Sequence, residues 1–144
     1  MYQGLPFLTI GFPTFNRSDA IEERIEEILS QTFQDFIIVI SDNGSTDNTE
    51  EICLRLCKRD KRIRYIRHEK NMGFFWNFFY LLNNAKTKYF IWAASDDKWS
   101  SNFLERNISV LNNDNQIVCS LGVVKLFYRE RRPDGTNEIG RAHV

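Results

Sequence analysis

The chain has 144 residues, 42% of them hydrophobic and 26% charged, which suits one globular domain with a real core and leaves little room for two. Lys plus Arg and Asp plus Glu both number 19, so the balance carries no electrostatic footprint for nucleic acid or an anionic membrane. Three cysteines supply no disulfide framework and fit a reducing compartment. The first residues lack a basic n-region and a long apolar h-region, and no stretch approaches the ~20 apolar residues of a membrane-spanning helix. A cytoplasmic protein, or one at the inner face of the membrane, is expected.

Leu5 to Phe12 predicts an apolar strand, with Pro13-Thr14-Phe15-Asn16-Arg17 as the turn leaving its C-terminal end. Asp19 with Glu22 three residues on has the form of a capping box, and Ile21, Ile25, Ile28 and Leu29 follow at helical spacing. Phe36 to Ile40 is a continuous β-branched run typical of a strand covered on both faces, and it stops at Ser41-Asp42-Asn43-Gly44-Ser45-Thr46-Asp47. A helix from about Asn48 to Arg59 comes next, with Asp47 and Glu50 as a cap pair and Ile52, Cys53, Leu56 and Cys57 facing inward. Cys53 and Cys57 share a helical face, but without further Cys or His they suit buried apolar positions better than a metal. The basic block from Lys58 to Arg67 fits a solvated helix end leading into an edge strand, Ile63 to Arg67.

His68 to Gly73 is a loop. Phe74 to Ala85 predicts a helix dense in aromatics, most of which are expected to fill the core rather than form a stacking platform. Tyr89 to Ala94 predicts a buried central strand ending at Ser95-Asp96-Asp97, and Ser100 or Ser101 should cap a helix carrying Leu104, Ile108 and Leu111. Gln116 to Leu121 and Val123 to Arg129 predict two further strands, with Gly122 as a bend between them. Strands alternating with helices predict an α/β fold with a mostly parallel, doubly wound sheet.

Three strand ends carry polar clusters, at Thr14 to Arg17, Asp42 to Ser45 and Ser95 to Asp97, and a parallel sheet brings all three to one edge. Two carboxylates with hydroxyls and amides are hard oxygen donors suited to Mg²⁺ or Mn²⁺, with coordination positions left for substrate phosphates. Neither Gly-x-Gly-x-x-Gly nor Gly-Lys-Ser/Thr occurs, so phosphates would be held chiefly through the metal.

Five ordered motifs, Pro13 to Arg17, Gln31 to Phe36, Ser41 to Asp47, Asn71 to Asn77 and Ser95 to Asp97, resemble the N-terminal half of family 2 glycosyltransferases over roughly residues 5–125. The resemblance implies the Rossmann-like GT-A fold, a nucleotide-diphosphate sugar donor, Mn²⁺ or Mg²⁺ as cofactor, a saccharide or lipid-linked acceptor, and inversion at the anomeric carbon. It further implies synthesis of a cell-surface polysaccharide or glycolipid. Carried across position by position, Pro13, Thr14, Phe15 and Asn16 line the nucleotide, with Phe15 offering a face to the base. Asp42 orders its loop or contacts the nucleoside, and Asn43 stands where the family usually has an Asp that contacts the base. An amide both donates and accepts, which leaves thymine, cytosine and guanine open beside uracil. Lys70 and Asn71 face the donor, Asp96 meets ribose or diphosphate, and Asp97 is the metal ligand. The family's catalytic base lies further along than this sequence reaches, so no catalytic residue is assigned and the chain alone is expected not to turn over. Residues 138–144, Glu-Ile-Gly-Arg-Ala-His-Val, resemble a translated sequencing adapter; residues 1–137 would then be an incomplete donor-binding domain. The competing expectations are a nucleotidyltransferase, against which Pro13 to Arg17 stands in place of a glycine-rich basic loop, and a nucleotide-binding module without catalysis.

Overall fold

The computed structural model describes residues 6–122, together with the backbone of 127–131 and 137–141. Residues 1–105 and 106–144 form two compact units. In the first, four parallel strands lie in the order β3-β2-β1-β4: β1 (Leu8–Thr14), β2 (Phe36–Asp42), β3 (Ile63–Arg67) and β4 (Tyr89–Trp92). Helices α1 (Ile21–Leu29), α2 (Thr49–Arg59) and α3 (Phe74–Asn84) connect them, and α4 begins at Phe103. The chain steps from β1 outward to β3, then crosses back past β1 to β4. Right-handed crossovers therefore place α3 on the opposite face of the sheet from α1 and α2. This is the doubly wound α/β arrangement, and its switch point falls between β1 and β4.

Residue alternation decides where the core sits. Leu8, Ile10 and Phe12 of β1 and Phe36, Ile38 and Ile40 of β2 point to one face and bury against Ile21, Ile25 and Ile28 of α1 and Cys53 and Leu56 of α2. A fully buried aliphatic or aromatic side chain contributes about 1.5–3 kcal/mol, so this face supplies most of the apolar stabilisation. Burial pushes the Cys53 thiol up to about 12, as an inert core cysteine requires. On the outer sides of α1 and α2, Arg55 reaches Glu22 and Arg59 reaches Glu26, at 2.6 and 2.7 Å. Within the basic block Arg62 also pairs with Asp60 and Arg67 with Glu50, and β3 is an edge of the described sheet, as expected.

Several expectations are corrected. Pro13 and Thr14 belong to β1 rather than to a turn, because β1 pairs with β2 as far as Thr14↔Asp42. Asp19 does not cap α1: the helix opens at Ile21 without a side-chain cap, and the amides of Ala20 and Ile21 donate instead to the Arg17 carbonyl. Glu50 makes no reciprocal cap on α2 and reaches Arg67. The strand at Tyr89 is half-buried and, among the described strands, stands at the other edge of the sheet, paired with β1, rather than at its centre. The aromatics of α3 do not fill the core. Only Asn77 and Leu81 of that helix are buried, while Phe75 is 75% exposed and Phe74, Trp76 and Phe79 are exposed too. The polar anchor explains this. Asn77 Nδ2 donates to the Ser41 carbonyl at 2.9 Å and Ser41 Oγ donates to Asn77 Oδ1 at 2.5 Å, which turns an amide rather than a phenyl ring toward the sheet.

In the second unit, β5 (Phe127–Arg131) and β6 (Asn137–Arg141) pair antiparallel. The strand expected at Gln116 to Leu121 is absent, and those residues form a turn and irregular chain. Residues 123–126, part of the next expected strand, lie outside the described residues, as do 142–144 of the expected tail.

Candidate functional site

The in-register C-terminal ends of β1, β2 and β3, at Thr14, Asp42 and Arg67, form one edge. Beyond it the chain leaves in loops that bond to one another. The amide of Asn43 donates to the Thr14 carbonyl at 2.9 Å, and that of His68 to the Asp42 carbonyl at 2.9 Å. Asn16, at φ +51°, donates its amide to Ser45 Oγ and accepts from the Thr46 amide through Oδ1. Asp47 ties the same loops together: its carboxylate accepts from the Ser18 amide and from the amide and hydroxyl of Thr49. Burial works against that charge, but these hydrogen bonds prevail and bring Asp47 down to about 2.

Asp42 is fully buried beneath this rim. Its Oδ1 accepts from the Ser45 amide at 2.8 Å and the Ser45 hydroxyl at 2.6 Å, and its Oδ2 accepts from the Tyr65 hydroxyl at 2.6 Å. Burial, followed by the Asp42 carboxylate, pushes the Tyr65 phenol up. Asp42 therefore orders the loop. Gly44, at φ +80°, lets the loop approach residues 70 and 71, because a Cβ there would lie 2.9 Å from the Lys70 carbonyl carbon. Asn43 bonds to Asn71, Met72 and Gly73. Lys70 and Asn71 are exposed at the rim. Phe15, 41% exposed, follows Thr14, whose buried hydroxyl has no hydrogen-bond partner among the described residues.

Asp96 and Asp97 follow β4 on the same sheet edge, both exposed, and a separate set of contacts holds them. Asp97 Oδ2 accepts from the Ala94 amide at 3.0 Å, closing a tight turn that leaves Oδ1 without a partner among the described residues. The buried Arg24 of α1 donates to the Asp97 carbonyl at 3.1 Å while pairing with Glu23 and Glu27. Gln31 grips the chain just beyond, donating to the Ser100 carbonyl and accepting from the Leu104 amide. Among the described residues no three His, Cys, Asp or Glu cluster as a self-sufficient metal site. One open carboxylate oxygen next to a second aspartate suits a cation that takes its remaining ligands from phosphates and water.

The structure thus joins Pro13, Thr14, Phe15, Asn16, Asp42, Asn43, Lys70 and Asn71 into one rim, and places Asp96 and Asp97 on the same edge through α1. Sequence patterns gave no role to Tyr65 or Arg24, and Ser45 entered only as a member of the polar cluster after β2. Ser45 carries a local signal, three residues after an aspartate in a turn, whereas Arg24 lies on an ordinary charged helix stretch and only the fold brings it to Asp97.

Behind the rim, His68 stands edge-on to Trp76 and Tyr80, with ring centroids at 4.8 and 4.7 Å. Because the single proton of Ser41 Oγ goes to Asn77, Ser41 must accept from His68 Nε2–H at 2.8 Å. Burial lowers the His68 pKa, against an opposing pull from Asp42. The folded state thus favours neutral imidazole, so stability is complete above the ordinary histidine pKa of about 6.5 and declines as pH falls through the lowered folded value. The melting temperature is expected to drop between pH 7.5 and 5.5, and His68→Gln should flatten that drop. An identical pH dependence in the variant would show that other groups carry it.

A model of glycosyl transferase family 2 matches residues 9–140. An uncharacterized glycosyltransferase of Rickettsia felis is 31% identical over 146 residues, which cover 96% of this chain and 24% of that protein. The putative teichuronic acid biosynthesis glycosyltransferase TuaG of Bacillus subtilis is 30% identical over 106 residues, covering 74% of this chain and 42% of TuaG. Among solved structures, S. aureus TarS 1–349 in complex with UDP-GlcNAc superposes with a TM-score of 0.68 at 22% identity, covering 74% of this chain and 31% of that one. The mannosyltransferase PcManGT from Pyrobaculum calidifontis, in complex with GDP-Man and Mn²⁺, superposes with a TM-score of 0.60 at 22% identity, over 67% of this chain and 29% of that one. The chain therefore spans less than half the length of these relatives, and at 22% identity the structural likeness concerns the fold.

Proposed function

The chain belongs to glycosyl transferase family 2 and has the GT-A fold, and from that premise we propose that its strand-end rim is the nucleotide-sugar donor site of an inverting glycosyltransferase. The observation that carries this reading is the convergence of the loops after β1, β2 and β3 on one edge of a parallel sheet, with Asp96 and Asp97 following β4 on that same edge. Ligands of such sheets bind beyond the carboxyl ends of the strands, at the switch point. Phe15 offers a stacking face to the base, Asp96 meets the ribose or diphosphate, and Lys70 contributes positive charge at the rim. The Asp97 carboxylate oxygen without a partner among the described residues would hold Mn²⁺ or Mg²⁺ together with donor phosphates, which neutralises charge on the leaving diphosphate. In the displacement, the acceptor hydroxyl oxygen bonds to the anomeric carbon as the bond from that carbon to the phosphate oxygen breaks. The hydroxyl proton passes to a base and the configuration inverts.

The acceptor in this reading is a saccharide or lipid-linked one used in cell-surface polysaccharide synthesis, at the inner face of the membrane; the polysaccharide part is supported by the likeness to TuaG, a putative teichuronic acid biosynthesis glycosyltransferase. Among the described residues no helix is long and apolar enough to cross a membrane. Calorimetric titration of the 144-residue chain with UDP, CDP, GDP and dTDP tests the donor site. At least one should bind, and removal of Mn²⁺ and Mg²⁺ should weaken it about tenfold or more. Binding of none, or binding indifferent to the metal, would overturn the proposal.

A further inference from the structure

Arg24 lies among the residues that α1 buries, with Ile21, Ile25 and Ile28, and is 5% exposed. Burying a guanidinium costs free energy unless its donors are engaged. Here Nη2 donates to Glu23 at 2.6 Å, and Nη1 donates to Glu27 and, at 3.1 Å, to the Asp97 carbonyl. The side chains of Glu23 and Glu27 are 68% and 39% exposed, so water can solvate both without the arginine. What Arg24 adds is a hold on the main chain of Asp97.

That hold does not extend to a substrate. The cleft that Arg24 lines with Ala93, Ala94, Asp97 and Trp99 has a volume of about 10 Å³, barely room for one water and none for a diphosphate. Arg24 therefore acts through the Asp97 turn. Two bonds close this turn, from the Ala94 amide to Asp97 Oδ2 at 3.0 Å and from the Asp97 amide to the Ala94 carbonyl at 3.3 Å. Neither ties it to the rest of the fold, and the Arg24 contact does.

We infer that Arg24 is a positioning residue, which fixes the Asp97 turn to α1 so that the open carboxylate oxygen is set for the donor's cation before the cation arrives. The inference rests on the donor-site reading above. Charge and position make opposite demands on this residue. Arg24 sets one positive charge against the two negative charges of Glu23 and Glu27, and its removal leaves both carboxylates uncompensated. By charge alone, that loss would draw a cation more tightly. By position it frees the turn, and residues that orient a metal ligand are worth about 10–100-fold in metal affinity.

The test is Arg24→Met, read by amide exchange and by calorimetry. In the metal-free chain the Ala94 and Asp97 amides should exchange about tenfold faster than in wild type. With a nucleoside diphosphate bound, Mn²⁺ should bind about tenfold more weakly or worse, while nucleotide affinity in EDTA stays unchanged. Arg24→Lys keeps the charge and a donor for the Asp97 carbonyl without the planar fork, so its Mn²⁺ affinity should fall between the two. Because its charge is that of wild type, any loss it shows is positional, and it supplies the reading should the methionine variant not fold. Mn²⁺ affinity that rises or stays the same in Arg24→Met, or is unchanged in Arg24→Lys, would overturn the inference. So would unchanged exchange at Ala94 and Asp97, or an equal loss of nucleotide affinity with and without metal, which marks a merely structural role. A wild-type chain without Mn²⁺-dependent nucleotide binding would remove the donor site and this inference with it, an outcome told apart because it precedes any substitution.

Discussion

Asp42→Ala is expected to destabilise the chain by about 3 kcal/mol, lowering its melting temperature by about 10 °C. The Asp42 carboxylate accepts from the Ser45 amide, the Ser45 hydroxyl and the Tyr65 hydroxyl, and it is fully buried. Truncation leaves those donors without their acceptor, and each buried unsatisfied group costs about 1–3 kcal/mol. Partial relaxation of the loop keeps the total below the sum. Asp42→Asn keeps one oxygen for Ser45 and disturbs mainly the Tyr65 contact, so its loss should be about 1 kcal/mol. Thermal melts of the two variants decide the matter, and equal loss in both would show that the charge, rather than the acceptor geometry, holds the loop. Because the Ser45 hydroxyl accepts from the Asn16 amide, the alanine variant should also loosen the loop after β1.

Asp97→Asn is expected to weaken metal-dependent nucleotide binding about a hundredfold while leaving the fold nearly unchanged. Its side-chain oxygen can still accept from the Ala94 amide, so the turn after β4 survives. What disappears is the charge on the oxygen without a partner among the described residues. Arg24 and Gln31 hold this segment through main-chain groups, at the Asp97 and Ser100 carbonyls and the Leu104 amide, and the substitution touches none of those contacts. Calorimetry with and without Mn²⁺ reads the effect. A variant that binds as tightly as wild type in Mn²⁺, or a loss matched by substituting an exposed residue elsewhere such as Lys58, would remove Asp97 from that role.

The parallel architecture was legible because β1, β2 and β4 are continuous β-branched or apolar runs, β3 interleaves apolar and basic residues, and the helices repeat at i, i+3 and i+4. Convergence of the polar strand ends followed from topology alone, since every strand of a parallel sheet delivers its following loop to the same edge. The orientation of α3 was not legible. Periodicity counts Phe74, Phe75 and Phe79 as core candidates, but the Ser41–Asn77 pair decides which stripe faces the sheet, and that pairing joins residues 36 apart. Capping motifs misled at Asp19 for a related reason, because the Arg17 carbonyl had already taken the amides of Ala20 and Ile21. Asn43 shows the same limit within the site: its residue type suggested a group facing the base, whereas Met72 and Gly73 turn its amide inward. Arg24, buried and 73 residues from Asp97, has no local signal at all.

One donor site spanning loops from β1, β2 and β4 is the central claim, and paramagnetic broadening by Mn²⁺ in the presence of a bound nucleoside diphosphate tests it most directly. Amide resonances of Asp96 to Lys98 should broaden most strongly, those of Phe15 to Arg17 and Asn43 to Ser45 should shift on nucleotide binding, and those at the opposite end of the sheet, near Phe36 and Arg62, should do neither. Broadening centred away from Asp97, or nucleotide-induced shifts confined to one of the three loops, would contradict it.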